Sequence, residues 1–152
     1  LSILPEYLKN EATLNGEVID YRDWHIPLGR RFRALKLWFV VRHYGIKGIQ
    51  YHIRRHVELA QKLKKWIIKS KIFELAVDTP FNLICLSHKN GNDMTEHILE
   101  RVNSSGKVYM THTKLNGKFV IRVSVGQTYT EETHVEQVWR LLNETAAAIT
   151  DS

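Results

Sequence analysis

The sequence predicts an α+β fold, a small and mainly antiparallel sheet flanked by helices. Three observations carry that prediction. Apolar residues recur at spacings of three and four from Ile46 to Ile67 and then give way, after Lys71, to short alternating runs. Asn116-Gly117 separates two of those runs and is the strongest short hairpin signal in the chain. The segments after the second helix fall in the order β-β-α-β-β-α, behind an N-terminal loop and helical arm.

Each element has its own local reason. Leu1 to Trp24 shows no lasting period, is punctuated by Pro5 and Asn15-Gly16, and is expected to be loop and short turns. From about Arg30 to Tyr44 the residues Phe32, Leu35, Leu37, Trp38, Phe39 and Val41 are too dense for a one-sided helix. That helix is expected to be buried on most sides and to end at Gly45. A second helix, about Ile46 to Lys69, carries its stripe on Ile46, Ile49, Ile53, Val57, Ala60, Leu63 and Ile67. "KIFELAV" and "FNLICLSH" are expected strands divided at Asp78-Thr79-Pro80. "DMTEHILERVNSSG" is an expected short helix closed by Gly106, and "KVYMTHTKL" with "KFVIRVSVG" the hairpin. A last helix runs through "TEETHVEQVWRLLNETAAAIT", with Thr130 as its expected N-cap.

The composition limits what such a unit can be. In 152 residues, 43% are hydrophobic and 25% charged, the balance of a folding chain rather than a disordered one. The net charge of +6 suits an anionic partner but does not choose one. Cys85 is the one cysteine, so no internal disulfide forms, and its apolar setting marks it as a core residue in a reducing compartment. The longest apolar run, "LKLWFVV", falls far short of the roughly 20 residues a membrane span needs. The chain opens at Leu1, without Met and in mid-pattern, as a fragment would.

Several residues invite chemical readings. His52 and His56 have a chelating spacing, but Arg54 and Arg55 beside them repel a metal, so a solvated helix face is expected and no metal site. The cations from Lys47 to Lys71 are spread around their helix without a recognition motif, against a nucleic-acid role. Ser104-Ser105-Gly106-Lys107 lacks the upstream glycine of a phosphate loop. The pair His88-Lys89 lies at a strand end before a turn, where Lys89 is expected to be exposed. Arg122 leaves two readings open. It is a half-exposed strand residue, or a guanidinium held rigidly to grip a carboxylate through two parallel hydrogen bonds. Tyr7, in "LPEYLKN", is by itself an ordinary loop residue.

The segments "DYRDWHIPLGRRFRALKLWFVVRHYG", "IRRHVELA", "VNSSGKVYMTHT" and "KFVIRVSVG" carry a resemblance. Together they make the chain similar to the C-terminal part of the pyridoxal-phosphate-dependent group II decarboxylases. It most resembles those acting on aromatic L-amino acids such as DOPA, tyrosine and tryptophan. The resemblance covers essentially the whole chain. It implies the C-terminal small domain of a fold-type I enzyme, with residues 1–45 as catalytic-loop arm and first helix and residues 46–152 as the small domain. It also implies a cytoplasmic homodimer, a pyridoxal 5'-phosphate cofactor, an amino acid substrate, and no nucleic-acid or membrane partner. The interleaved Arg and Trp between Asp20 and Gly45 then suit the edge of an anionic site beside a dry subunit interface. The family's Schiff-base lysine lies upstream of the segment that matches Leu1 to Asn10. The chain is therefore expected to be inert alone and bound to the remainder of the same polypeptide.

The resemblance also implies roles residue by residue. Tyr7 falls on the catalytic-loop tyrosine, a phenol that keeps its proton at neutral pH and delivers it to Cα once CO2 has left. Relatives with Phe there resemble aldehyde synthases. Arg22 and Trp24 support the loop or the cofactor site. Pro27, Leu28 and Gly29, with Ile26, match the segment lining the substrate pocket, and Gly29 leaves room for a bulky ring. Arg122 matches the strand arginine that holds the substrate carboxylate, with a structural salt bridge as the other reading. The alternatives are a related decarboxylase for histidine or glutamate, and a free-standing basic binding module.

Overall fold

The computed structural model describes residues 32–150. The elements are α1 (Arg33–Ile68), β1 (Phe73–Val77), β2 (Leu83–His88), α2 (Asn92–Ser104), β3 (Thr111–Leu115), β4 (Lys118–Ser124) and α3 (Glu132–Thr150). The chain divides into two compact units, Leu1–Ile49 and Gln50–Ser152.

The two expected N-terminal helices meet at Gly45 as the sequence predicts, and α1 is that pair joined across a kink. There φ is 64° and ψ 174°, a combination open to glycine and almost closed to other residues. A Cβ at Gly45 would meet nothing within 4 Å, so glycine is needed here for its backbone and not for space. The turns before it depart from expectation. Trp38 is 54% exposed, Phe39 58%, and Leu35, Leu37, Val40 and Val41 are exposed too. Burial needs a covering surface, and these side chains find none among the described residues. The same holds at Ile53, so of the predicted stripe only its far end, Ala60, Leu63 and Ile67, is buried, joined by Leu59, which the stripe did not include. No helix among the described residues is long and apolar enough to cross a membrane.

The sheet has four strands in the order β1-β2-β4-β3, every neighbouring pair antiparallel. Alternation divides it into two faces. One carries Phe73, Ile84, Leu86, Phe119, Ile121 and Val123 into the core. Opposite them pack Ile98, Leu99 and Val102 of α2, Val135, Leu142 and Ala146 of α3, and the buried end of α1. At roughly 1.5–3 kcal/mol for each large apolar side chain buried, this layer dominates the stability of the unit. β1 carries one extra residue. Leu75 pairs with Leu86 and Val77 with Cys85, leaving Ala76 as a bulge.

The hairpin forms as expected, with φ of 51° at Asn116 and 79° at Gly117, both positive as a type I′ turn requires. β3 is shorter than its apolar run. The amide of Asn103 takes both backbone groups of Met110, accepting from its N–H (2.9 Å) and donating to its carbonyl (2.9 Å). A side chain thus stands in for a strand partner, and regular pairing begins one residue later. The start of α3 differs as well. Thr130 donates its N–H to Gln127 in a preceding turn. Glu131 adjoins the first helical residue instead, with its N–H capped by Nδ1 of His134 (2.9 Å).

Candidate functional site

The second face of the sheet holds the described candidate. Arg122 sits half-buried on β4, paired in register with Cys85 of β2 and Thr111 of β3. Strand alternation turns Arg122 away from Ile121 and Val123 and so away from the core. Beside this row lie Ser87 and Val120, both buried, and Glu74. A β4 that is hydrogen-bonded on both sides holds its Cα atoms firmly, so the guanidinium is carried on a rigid base.

The electrostatics of this face separate into two groups. Burial pushes the Cys85 thiol up from its ordinary value, and the nearby charge of Arg122 only partly offsets that. Cys85 is 4% exposed and therefore a neutral, inert neighbour. Glu74 receives a hydrogen bond from Lys118 (2.9 Å), which holds its carboxyl below the usual range despite partial desolvation. Ser87 adds a longer contact to Glu74 at 3.5 Å. What such a surface can do chemically is bind a planar anion. A guanidinium donates two parallel hydrogen bonds to one carboxylate, a geometry an ammonium cannot copy.

The pair His88-Lys89 does something else. Lys89 is exposed, and its Nζ donates to the carbonyls of Ser70 (3.1 Å) and Lys71 (3.0 Å), closing the chain just beyond α1. His88 is buried edge-on against Phe73, with ring centroids 5.4 Å apart. Its Nδ1 accepts from the N–H of Asn90 (3.1 Å), and burial lowers its pKa. The chain's one His-Lys pair is thus a structural cap and does not fit a cofactor link. His52 and His56 lie with ring centroids 6.1 Å apart, and Nε2 of His56 meets the carbonyl of Gln127 at 3.1 Å. Among the described residues no group of three His, Cys, Asp or Glu is placed to hold a metal. Three cations of the basic helix are paired: Arg55 with Glu58, Lys62 with Glu58 and Glu132, and Lys64 with Asp78.

Tyr7, Arg22, Trp24, Pro27, Leu28 and Gly29 lie outside the described residues. Sequence reasoning placed Arg122 on the correct face but missed its row. Thr111 was available from the hairpin, since a two-residue turn at Asn116-Gly117 fixes residue 111 opposite residue 122. Cys85 carried no such signal, because the pairing of β2 with β4 is not local.

Comparison with known proteins adds the context. The sequence model described as the pyridoxal-dependent decarboxylase conserved domain matches residues 1–89. Tryptophan decarboxylase 2 of Oryza sativa subsp. japonica is 43% identical over 156 residues, covering 98% of this chain and 31% of that protein. Phenylacetaldehyde synthase of Arabidopsis thaliana is 42% identical over 154 residues, covering 97% and 31%. Among solved structures, Oryza sativa TDC with PLP and tryptamine superposes with a TM-score of 0.72 at 38% identity, over 98% of this chain and 33% of that one. The chain therefore spans about a third of the length of the curated relatives it matches.

Proposed function

The chain belongs to the pyridoxal-dependent decarboxylase family, and from that membership we propose that it is the C-terminal portion of an enzyme converting an aromatic L-amino acid to its amine and CO2. The observation that carries this reading is the end-to-end match, 98% of the chain at 43% identity, to a tryptophan decarboxylase. Residues 1–45 form the catalytic-loop arm and first helix, and residues 46–152 the small domain. The complete enzyme is a cytoplasmic homodimer. The exposed apolar turns of α1 support that assignment, since a helix with Trp38 and Phe39 uncovered asks for another surface.

Pyridoxal phosphate, held by polypeptide upstream, supplies the electron sink for the loss of CO2. This chain supplies groups on the substrate side. Arg122 grips the α-carboxylate before it leaves. Pro27, Leu28 and Gly29 line the ring pocket, while Arg22 and Trp24 steady the loop that carries Tyr7. When that loop closes, the Tyr7 phenol hands its proton to Cα and so directs the outcome to amine.

The test is an assay of the full-length enzyme with L-tryptophan, L-tyrosine, L-DOPA and L-histidine, following CO2 and amine. Release of CO2 from the aromatic substrates is expected. Turnover of histidine alone would reassign the substrate, and turnover of none would remove the activity.

A further inference from the structure

We propose that the cleft between residues 107–110, the end of β4 and the first turns of α3 binds an amphipathic monocarboxylate, a molecule with an apolar body and one anionic end. The cleft is open to solvent along one side and offers about 480 Å3, within the range of small-ligand pockets. Its floor is aliphatic. Met110, Val123, Val125 and Val135 are buried there, and Val138 is half-buried beside them. An apolar floor of one methionine and several valines favours a hydrocarbon body over a polar group, which would lose its hydration without replacement.

The polar lining decides the other end of the ligand. Lys107 and His134 line the cleft, with the hydroxyl-bearing Ser124 and Thr130, and no Asp or Glu does. The Lys107 ammonium has no ion pair among the described residues. His134 has a fixed tautomer. Its Nδ1 accepts the N–H of Glu131, so in the neutral ring the proton sits on Nε2 and is available to donate. Tyr109, Gln127 and Gln137 add neutral polar groups to the lining, so the Lys107 ammonium is its one full charge, and a single positive charge at the rim complements a carboxylate and repels an amine. The contrast with the second groove is direct. That groove, about 410 Å3 beside α1, sets Glu131 and Glu132 among Arg55, His52 and His56, and its mixed charge selects neither sign.

The site lies on the core side of the small domain and does not depend on the decarboxylase reading. The test uses the full-length enzyme with octanoate as probe and 1-octanol as its neutral counterpart. Calorimetry measures affinity, and the 13C-methyl signal of Met110 reports location. Octanoate is expected to shift that signal and to bind at least about tenfold more tightly than the alcohol. Lys107→Glu, at an exposed position, is expected to weaken octanoate about tenfold or more while leaving octanol binding and CO2 release unchanged. Val138→Trp, which fills the floor, is expected to abolish both. Equal affinity for acid and alcohol, indifference to Lys107→Glu, or an unshifted Met110 methyl would overturn the site. Decarboxylation assayed without octanoate tests the enzymatic reading separately.

Discussion

Arg122 occupies a row across the sheet with Cys85 on one side and Thr111 on the other, and neither neighbour is an acid. If its task is to hold a substrate carboxylate, the fork of the guanidinium matters as well as its charge. Arg122→Lys in the complete enzyme keeps the charge and loses the fork. KM for the amino acid is expected to rise about tenfold, with the melting temperature nearly unchanged. A purely structural arginine would show the reverse, a lower melting temperature with KM intact. Tyr7 calls for a different readout. If Tyr7 is the proton donor to Cα, as proposed, Tyr7→Phe is expected to lower amine formation and raise aldehyde and hydrogen peroxide. Unchanged amine output would remove Tyr7 from the chemistry. The orientation of Arg122 was legible in the alternation of "FVIRVSVG" alone. Of its two neighbours Thr111 follows from the hairpin, but Cys85 does not, since it comes from a strand 37 residues away in sequence.

The elements were largely legible because their signals are local. The Asn116-Gly117 turn, the Gly45 break and the three-four stripe of Ala60, Leu63 and Ile67 each act within a few residues. Boundaries were less so, for a physical reason seen at β3. Val108 to Met110 has strand composition, yet Asn103, a helix residue, takes the backbone groups that a strand would have offered. Asn103→Ala leaves the buried Met110 N–H and carbonyl without partners, at about 1–3 kcal/mol for each group. Hydrogen exchange at the Met110 amide is expected to quicken accordingly in the variant. An unchanged rate would show that water replaces the side chain without loss.

For the molecule as a whole, two consequences follow from what is covered and what is not. The sequence marked α1 between Phe32 and Val41 as apolar enough for burial, and among the described residues it is exposed. Apolar density reports a demand for cover, but a local pattern does not encode which surface meets it. The opposite case is His88, enclosed in the core against Phe73 and lowered in pKa by that burial. The folded state resists its protonation, whereas the unfolded chain accepts the proton at the ordinary imidazole value. Its contribution is therefore fully present above that value and declines as pH falls from about 7 towards 5, by up to about 1.4 kcal/mol per pH unit. Thermal melts of the full enzyme over that range are expected to show the loss, and His88→Phe is expected to flatten it. A wild-type profile that is level through the range would refute the linkage.

The extra residue on the outermost strand also bears on behaviour at high concentration. β1 forms one border of the sheet, where unsatisfied main-chain groups could template a second molecule and begin a fibril. Ala76 interrupts the regular spacing of those groups, so an incoming extended peptide finds two short stubs in place of a continuous docking rail. The kink that costs the sheet one rung is thus expected to disfavour polymerisation along this border, through a single alanine.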